Sequence, residues 1–155
     1  GADFAICPDN TFHQAYADAV EASSIPWLHI AEAVAAEAKA KGYEKLGITG
    51  TAYLMAGPVY PDTLKAAGIA CEMPGSDDRE TINTIIFGKL VKGVFTDADR
   101  ATFNRVFSTL GERDCDAVVM GCTEIPILMD GVTTSLPTLD STRLLARAAL
   151  RHALA

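Results

Sequence analysis

The chain has 155 residues, 49% of them hydrophobic, with 13 basic and 20 acidic side chains and a net charge of −7. That length supports one core, or one large domain and part of another. The acidic balance argues against nucleic acid or an anionic membrane as partners, but not against a small anion met by local dipoles. No apolar run approaches the roughly 20 residues of a bilayer span, and no secretory signal is legible, which points to the cytoplasm. The cysteines Cys7, Cys71, Cys115 and Cys122 form no C-x-x-C pair, and there are three histidines. Neither a disulfide framework nor a metal site is expected.

In chain order, Phe4 to Cys7 reads as a short buried strand. Phe12, Ala15, Tyr16, Ala19 and Val20 then recur at helical spacing. Pro26 to Ile30 is a crossing segment that feeds an alanine-rich helix ending near Gly42. Leu46 to Thr49 is the next strand, closed by Gly50 and Thr51. A helix from about Tyr53 to Ala67 holds Pro58 and Pro61, which should kink or break it. Ile69 to Glu72 is a third strand. Ile82, Ile85, Ile86 and Leu90 mark one helix, and Phe103, Val106, Phe107 and Leu110 another, opened by a capping box at Thr96 to Asp99. Ala117 to Met120 is a fourth strand. A short helix follows Cys122, and Asp140 caps a closing helix. Alternating strands and helices imply an α/β fold with a parallel sheet and a site at the C-terminal ends of its strands.

Two turns echo each other. Ile6-Cys7-Pro8-Asp9-Asn10-Thr11 and Val119-Met120-Gly121-Cys122-Thr123-Glu124 both read as strand, sharp turn and helix start. Facing across a cleft, they would aim two helix N-termini at one small carboxylate. A thiol at the second turn would be pushed towards thiolate by the helix dipole. Asp9 reads equally as a helix N-cap, Asn10 and Thr11 as turn formers, and Lys92 as a solvated lysine at a helix end. Glu124 is either a first-turn carboxylate or a group that orients the site around Cys122. His13 and His29 read as structural hydrogen-bonders.

With Pro26-Trp27-Leu28-His29-Ile30, Gly50-Thr51-Ala52-Tyr53, Gly121-Cys122-Thr123-Glu124-Ile125 and Leu136 to Thr142 in this order, the sequence resembles the aspartate/glutamate racemases. The glutamate after Cys122-Thr123 resembles the aspartate-type branch. The resemblance implies the parallel-sheet, three-layer domain of a two-domain racemase fold, with a partial second domain. Residues 25–129 would form one domain, and 1–24 with 130–155 the remnant of the other. About 70–80 residues of an N-terminal half-domain would precede the first motif at ordinary domain sizes.

The implied activity is α-proton transfer on a small acidic amino acid or dicarboxylate, with no cofactor and no pyridoxal phosphate, in a homodimer. Asp9 and Cys122 would be the paired acid and base, although the family's usual cysteine is replaced by Asp9. Asn10, Thr11, Thr51 and Thr123 would hold substrate carboxylate, and Lys92 would bind substrate. Relatives with a single catalytic cysteine decarboxylate or isomerise related dicarboxylates. Those reactions, and an inactive racemase fragment, are the alternatives.

Overall fold

The computed structural model describes all 155 residues, Gly1–Ala155. Its centre is a four-stranded parallel sheet ordered β4-β3-β5-β6, built from β3 (Lys45–Thr49), β4 (Ala70–Glu72), β5 (Ala117–Met120) and β6 (Thr138–Asp140). A smaller parallel pair joins β1 (Ala5–Ile6) to β2 (Trp27–Leu28). All four residues of β5 are buried, as a central strand covered on both faces requires. Ala117 and Val119 enter one core with Leu46, Ile48, Leu139 and Leu144. Val118 and Met120 enter the other with Phe103, Phe107, Leu110 and Ile125.

The helices form the two outer layers. On the first face lie α2 (Ile30–Lys41), α4 (Val59–Ala66) and α8 (Ser141–Leu154). On the second lie α5 (Ser76–Gly88), α6 (Asp97–Gly111) and α7 (Glu124–Leu128). The short α1 (Tyr16–Glu21) and α3 (Ala52–Ala56) complete the set. Their ends follow local chemistry. Gly42 adopts the left-handed conformation that closes α2. Thr96 caps α6 by accepting from Asp99 N, and Asp140 caps α8 by accepting from Arg143 N. The expected helix 53–67 is two helices, α3 and α4, separated at Gly57-Pro58. No helix is long and apolar enough to cross a membrane.

Strand pairing groups the segments differently from the division into 25–129 and 1–24 with 130–155. β6 extends the central sheet beside β5, and α8 lies on α2, because Leu139 and Leu144 belong to the main core. β2, expected with the central domain, pairs instead with β1. The end of α8 still reaches the small sheet, where the His152 and Phe4 rings meet edge-on at 4.8 Å.

From β3 the chain runs outward to β4, whereas β5 adds on the other side of β3. The carboxyl ends of β3 and β5 therefore flank the topological switch point, where open α/β sheets leave a crevice. Two glycines, Gly50 and Gly121, let the backbones close up there. Gly121 N donates to Thr49 O at 2.8 Å. A Cβ on Gly121 would lie 2.5 Å from Leu54 Cδ2 and 2.7 Å from Thr49 O. Gly121→Ala should cost about 1–3 kcal/mol by overpacking. Gly88→Ala, in the last turn of α5 where a Cβ meets nothing within 4 Å, should instead leave stability unchanged or raise it by up to about 1 kcal/mol. Urea denaturation of both variants measures the difference.

Candidate active site

At the switch point lies a cleft of about 460 Å³, lined among others by Asp9, Asn10, Thr11, Thr51, Cys122 and Thr123. That volume is in the range of small-molecule sites. Six of the seven site residues expected from the sequence therefore meet in one place. Three turns deliver them: the loop after β1, the turn after β3 and the turn after β5.

The loop after β1 is held by its side chains, since β1 itself has only two residues. Asn10 is 3% exposed. Its Nδ2 donates to Ser141 Oγ at 3.0 Å, and Ser141 Oγ donates onward to Met120 O at 2.9 Å. Tyr60 OH donates to Asn10 Oδ1 at 2.6 Å. Burial pushes the Tyr60 hydroxyl up, so it stays protonated as a donor. His13 fixes the other side of the loop. Ile30 N donates to its Nε2 at 3.1 Å, so the ring proton is on Nδ1, which donates to Asp9 O at 2.9 Å. Burial holds His13 below its ordinary value and takes His29 down to about 4, with the neighbouring His13 adding to the fall. His29 accordingly caps α2 as a neutral acceptor of Ala31 N. Both histidines act structurally, as the sequence suggested.

Asp9 is exposed at the cleft. Its Oδ1 accepts from Phe12 N at 2.8 Å, so it does cap the following turn. Oδ2 takes no part in that cap. Thr51 Oγ1 accepts from Leu54 N and lies 3.1 Å from Thr11 Oγ1, which places two hydroxyls side by side on the cleft wall.

Cys122 is half-buried in the wall formed after β5. Its thiol donates to Glu124 Oε2 at 2.9 Å, and Thr123 Oγ1 donates to the same oxygen at 2.9 Å. Burial, then the hydrogen bond to Glu124, then the charges of Glu124 and Asp9 push the thiol up to about 12. The Glu124 backbone N–H acts in the opposite direction and is outweighed. This corrects the expectation of a thiolate. The helix behind Cys122 has only five residues, and its first side chain brings a full negative charge back onto the sulfur. Glu124 is itself held below the usual carboxylate range: burial opposes this, but the bonds from Cys122 and Thr123 prevail.

Lys92 does not join the site. It is exposed at the end of the 3-10 turn Leu90–Lys92, and Val91 lines the cleft instead. Neighbours in a 3-10 turn point about 120° apart, so only one of the two can face inward. Tyr53, Ile86, Phe87 and Val91 form an apolar side of the cleft that sequence reasoning did not identify, because their spacing reads as ordinary helix packing. The lining carries two carboxylates, Asp9 and Glu124, and no lysine, arginine or histidine. No group of three or more His, Cys, Asp or Glu side chains is placed to hold a metal ion. The other cysteines lie outside the cleft, and all four are free.

A three-layer α/β domain with an aspartate and a cysteine brought to one crevice at its switch point is the frame of a small-molecule enzyme. The chain belongs to the Asp/Glu/Hydantoin racemase family, whose model matches residues 1–149. It is similar to the structure of a candidate Asp/Glu racemase from Yersinia pestis, at 35% identity and a TM-score of 0.92, covering 100% of this chain and 68% of that one. An aspartate racemase homologue from Pyrococcus horikoshii matches at 26% identity and a TM-score of 0.88, again over 100% and 68% of the two chains. The broad-specificity amino-acid racemase RacX of Bacillus subtilis is 25% identical over 156 residues, 100% of this chain and 66% of that protein. The chain thus spans about two thirds of the length of these relatives.

The Asn10 network predicts two losses of stability. Tyr60→Phe leaves Asn10 Oδ1 without its donor, and Ser141→Ala leaves Asn10 Nδ2 without its acceptor and takes one donor from Met120 O. Each should cost about 1–3 kcal/mol. Their sum should fall short in the double variant, because both act on one side chain; thermal or urea unfolding measures it.

Proposed function

We propose that this chain carries the acid–base groups of an amino-acid racemase that moves the α-proton without pyridoxal phosphate. The observation that supports the reading is the meeting of Asp9 and Cys122, delivered by turns after two different sheets, at one cleft. Family membership supports the reaction class.

In this mechanism the substrate α-carbon lies between the two groups. The Asp9 carboxylate takes the α-proton: the Cα–H bond breaks and an O–H bond forms. The Cys122 thiol protonates the opposite face: S–H breaks and a new Cα–H forms. Asp9 is left protonated and Cys122 as thiolate, and proton exchange with water restores the starting form. The hydroxyls of Thr11 and Thr51 suit the α-carboxylate, whose negative charge grows in the carbanion-like transition state, whereas that of Thr123 is given to Glu124. Asp9 and Glu124 suit the α-ammonium. We take an acidic amino acid as the first substrate to test, after the names of the relatives. A side-chain carboxylate meets no cation in this cleft, so uncharged amino acids belong in the same panel. Four free cysteines fit a reducing setting such as the cytoplasm.

The test is α-proton exchange in heavy water, followed by NMR for both enantiomers of aspartate, glutamate, alanine and serine. Exchange should appear on both enantiomers of a substrate, because the two directions of a racemase are equally efficient at equilibrium. Asp9→Asn should reduce it by about 100-fold or more. Exchange that survives in Asp9→Asn would remove Asp9 from the mechanism. Carbon dioxide release from a substituted malonate, with no exchange on any amino acid, would favour a one-cysteine decarboxylase.

A further inference from the structure

We propose that Tyr53, Phe87 and Val91 form the side-chain pocket of this site, and that it takes amino acids with a large uncharged side chain, such as leucine and phenylalanine, in preference to acidic ones. The reaction on these substrates rests on the racemase reading. The shape and charge of the pocket do not.

The observation is an exposed apolar wall beside the reacting groups. Tyr53, Phe87 and Val91 are 68%, 46% and 50% exposed, yet all three line the cleft that holds Asp9 and Cys122. Large apolar side chains left in water and gathered in one concave place mark a binding surface. They come from three elements: α3, α5 and the 3-10 turn Leu90–Lys92. Core packing does not account for them. α5 commits Ile82, Ile85 and Ile86 to the core and leaves Phe87 outside it.

The wall is tied to the polar half of the cleft. Asn83 of α5 accepts from Ala52 N at 2.8 Å, directly after Thr51. Gln14, in the turn that follows the Asp9 loop, donates from Nε2 to Tyr53 O at 3.0 Å. The 3-10 turn packs against α7, whose first residue is Glu124. An amino acid with its α-carbon between Asp9 and Cys122 therefore has a fixed apolar surface beside it.

Charge then selects among side chains. Aspartate or glutamate brings a second carboxylate into a cleft that already holds Asp9 and Glu124 and has no lysine, arginine or histidine in its lining. Against aromatic and aliphatic side chains that carboxylate loses water and gains no partner. Lys89 is held by Asp99 at 2.7 Å, and Lys92 is exposed outside the lining. A cationic side chain fares no better on the wall, which carries no carboxylate. Glu124 already accepts from Cys122 and Thr123, and Asp9 is the proposed base. An uncharged side chain meets neither penalty and covers the exposed wall.

Alpha-proton exchange in heavy water ranks kcat/KM for both enantiomers of leucine, phenylalanine, alanine, aspartate, glutamate and lysine. A methylene group in a hydrophobic pocket is worth about 10-fold or more, so leucine and phenylalanine should exceed alanine by at least that factor, and should exceed the three charged amino acids. Phe87→Ala should lower the leucine-to-alanine ratio about 10-fold. Val91→Lys brings a cation to the wall and should move the preference towards glutamate. Both positions are exposed, so neither change opens the core, and circular dichroism checks the fold.

Binding is measured apart from turnover by NMR titration of the Val91 methyl resonances with the same free amino acids. Leucine should shift them at lower concentration than aspartate, glutamate or lysine. If the wild type exchanges no amino acid, the racemase reading falls and the titration alone decides the pocket. Val91 methyls that respond to no amino acid, or that respond first to a charged one, overturn the proposal. So does exchange of leucine no faster than that of alanine or glutamate, or a leucine-to-alanine ratio unchanged in both variants. Sedimentation of wild type and Phe87→Ala identifies the rival occupant: a dimer lost in the variant, with an unchanged ratio, makes the wall a contact between copies of this chain.

Discussion

The site depends on one buried side chain. Asn10 ties the N-terminal loop to α4 through Tyr60 and to the end of β5 through Ser141 and the Met120 carbonyl. β1 and β2 contribute only two residues each to their ladder, too few to fix a loop against the main sheet. Buried polar groups cost stability when unpaired and give direction when paired. Asn10 is paired at both its oxygen and its nitrogen, so the loop has one placement, and Asp9 is carried to the cleft with it. His13 reinforces the same placement from the other side by accepting from Ile30 N and donating to the Asp9 carbonyl.

At Cys122 burial, and after it the bond to Glu124 and the nearby full charges, outweigh the end of the helix dipole. A dipole end contributes a partial charge that is felt within the first turn. Behind Cys122 the helix is one short turn and a half, and Glu124 sets a full charge at 2.9 Å from the sulfur. Burial likewise keeps the two histidines neutral: at His13 it outweighs the nearby Asp9 carbonyl and charge, and at His29 the neighbouring His13 adds to it. The result is a pair of unlike groups, a carboxylate that accepts and a thiol that donates, and so a cleft with a built-in polarity.

Much of this was legible in the sequence. β5 was visible as four apolar residues ended by Gly121, because a strand buried on both faces leaves an unbroken apolar run. The capped starts of α6 and α8 were visible in Thr96 and Asp140, and of the seven site residues that the family resemblance implied, six line one cleft. β2 and β6 were not visible. Each has two or three residues and follows a proline, Pro26 or Pro137, so neither leaves a period to read. Tyr60 and Ser141 were hidden for another reason: their partner Asn10 lies 50 and 131 residues away along the chain. The protonation of Cys122 depends on a side chain folding back by one turn, and local sequence carries that only as an ambiguity between two readings of Glu124. Lys92 went to solvent because a 3-10 turn, not an α-helix end, carries it.

The central claim is that Cys122 rests as a thiol, facing the same cleft as a carboxylate base. The most direct measurement is the pH titration of the Cys122 Cβ resonance in protein labelled with carbon-13 at cysteine Cβ. A free cysteine is half-ionised near pH 8.5, about its ordinary value. The account predicts no thiolate shift there for Cys122, with the change arriving only at strongly alkaline pH. A thiolate resonance already populated near neutral pH would contradict it.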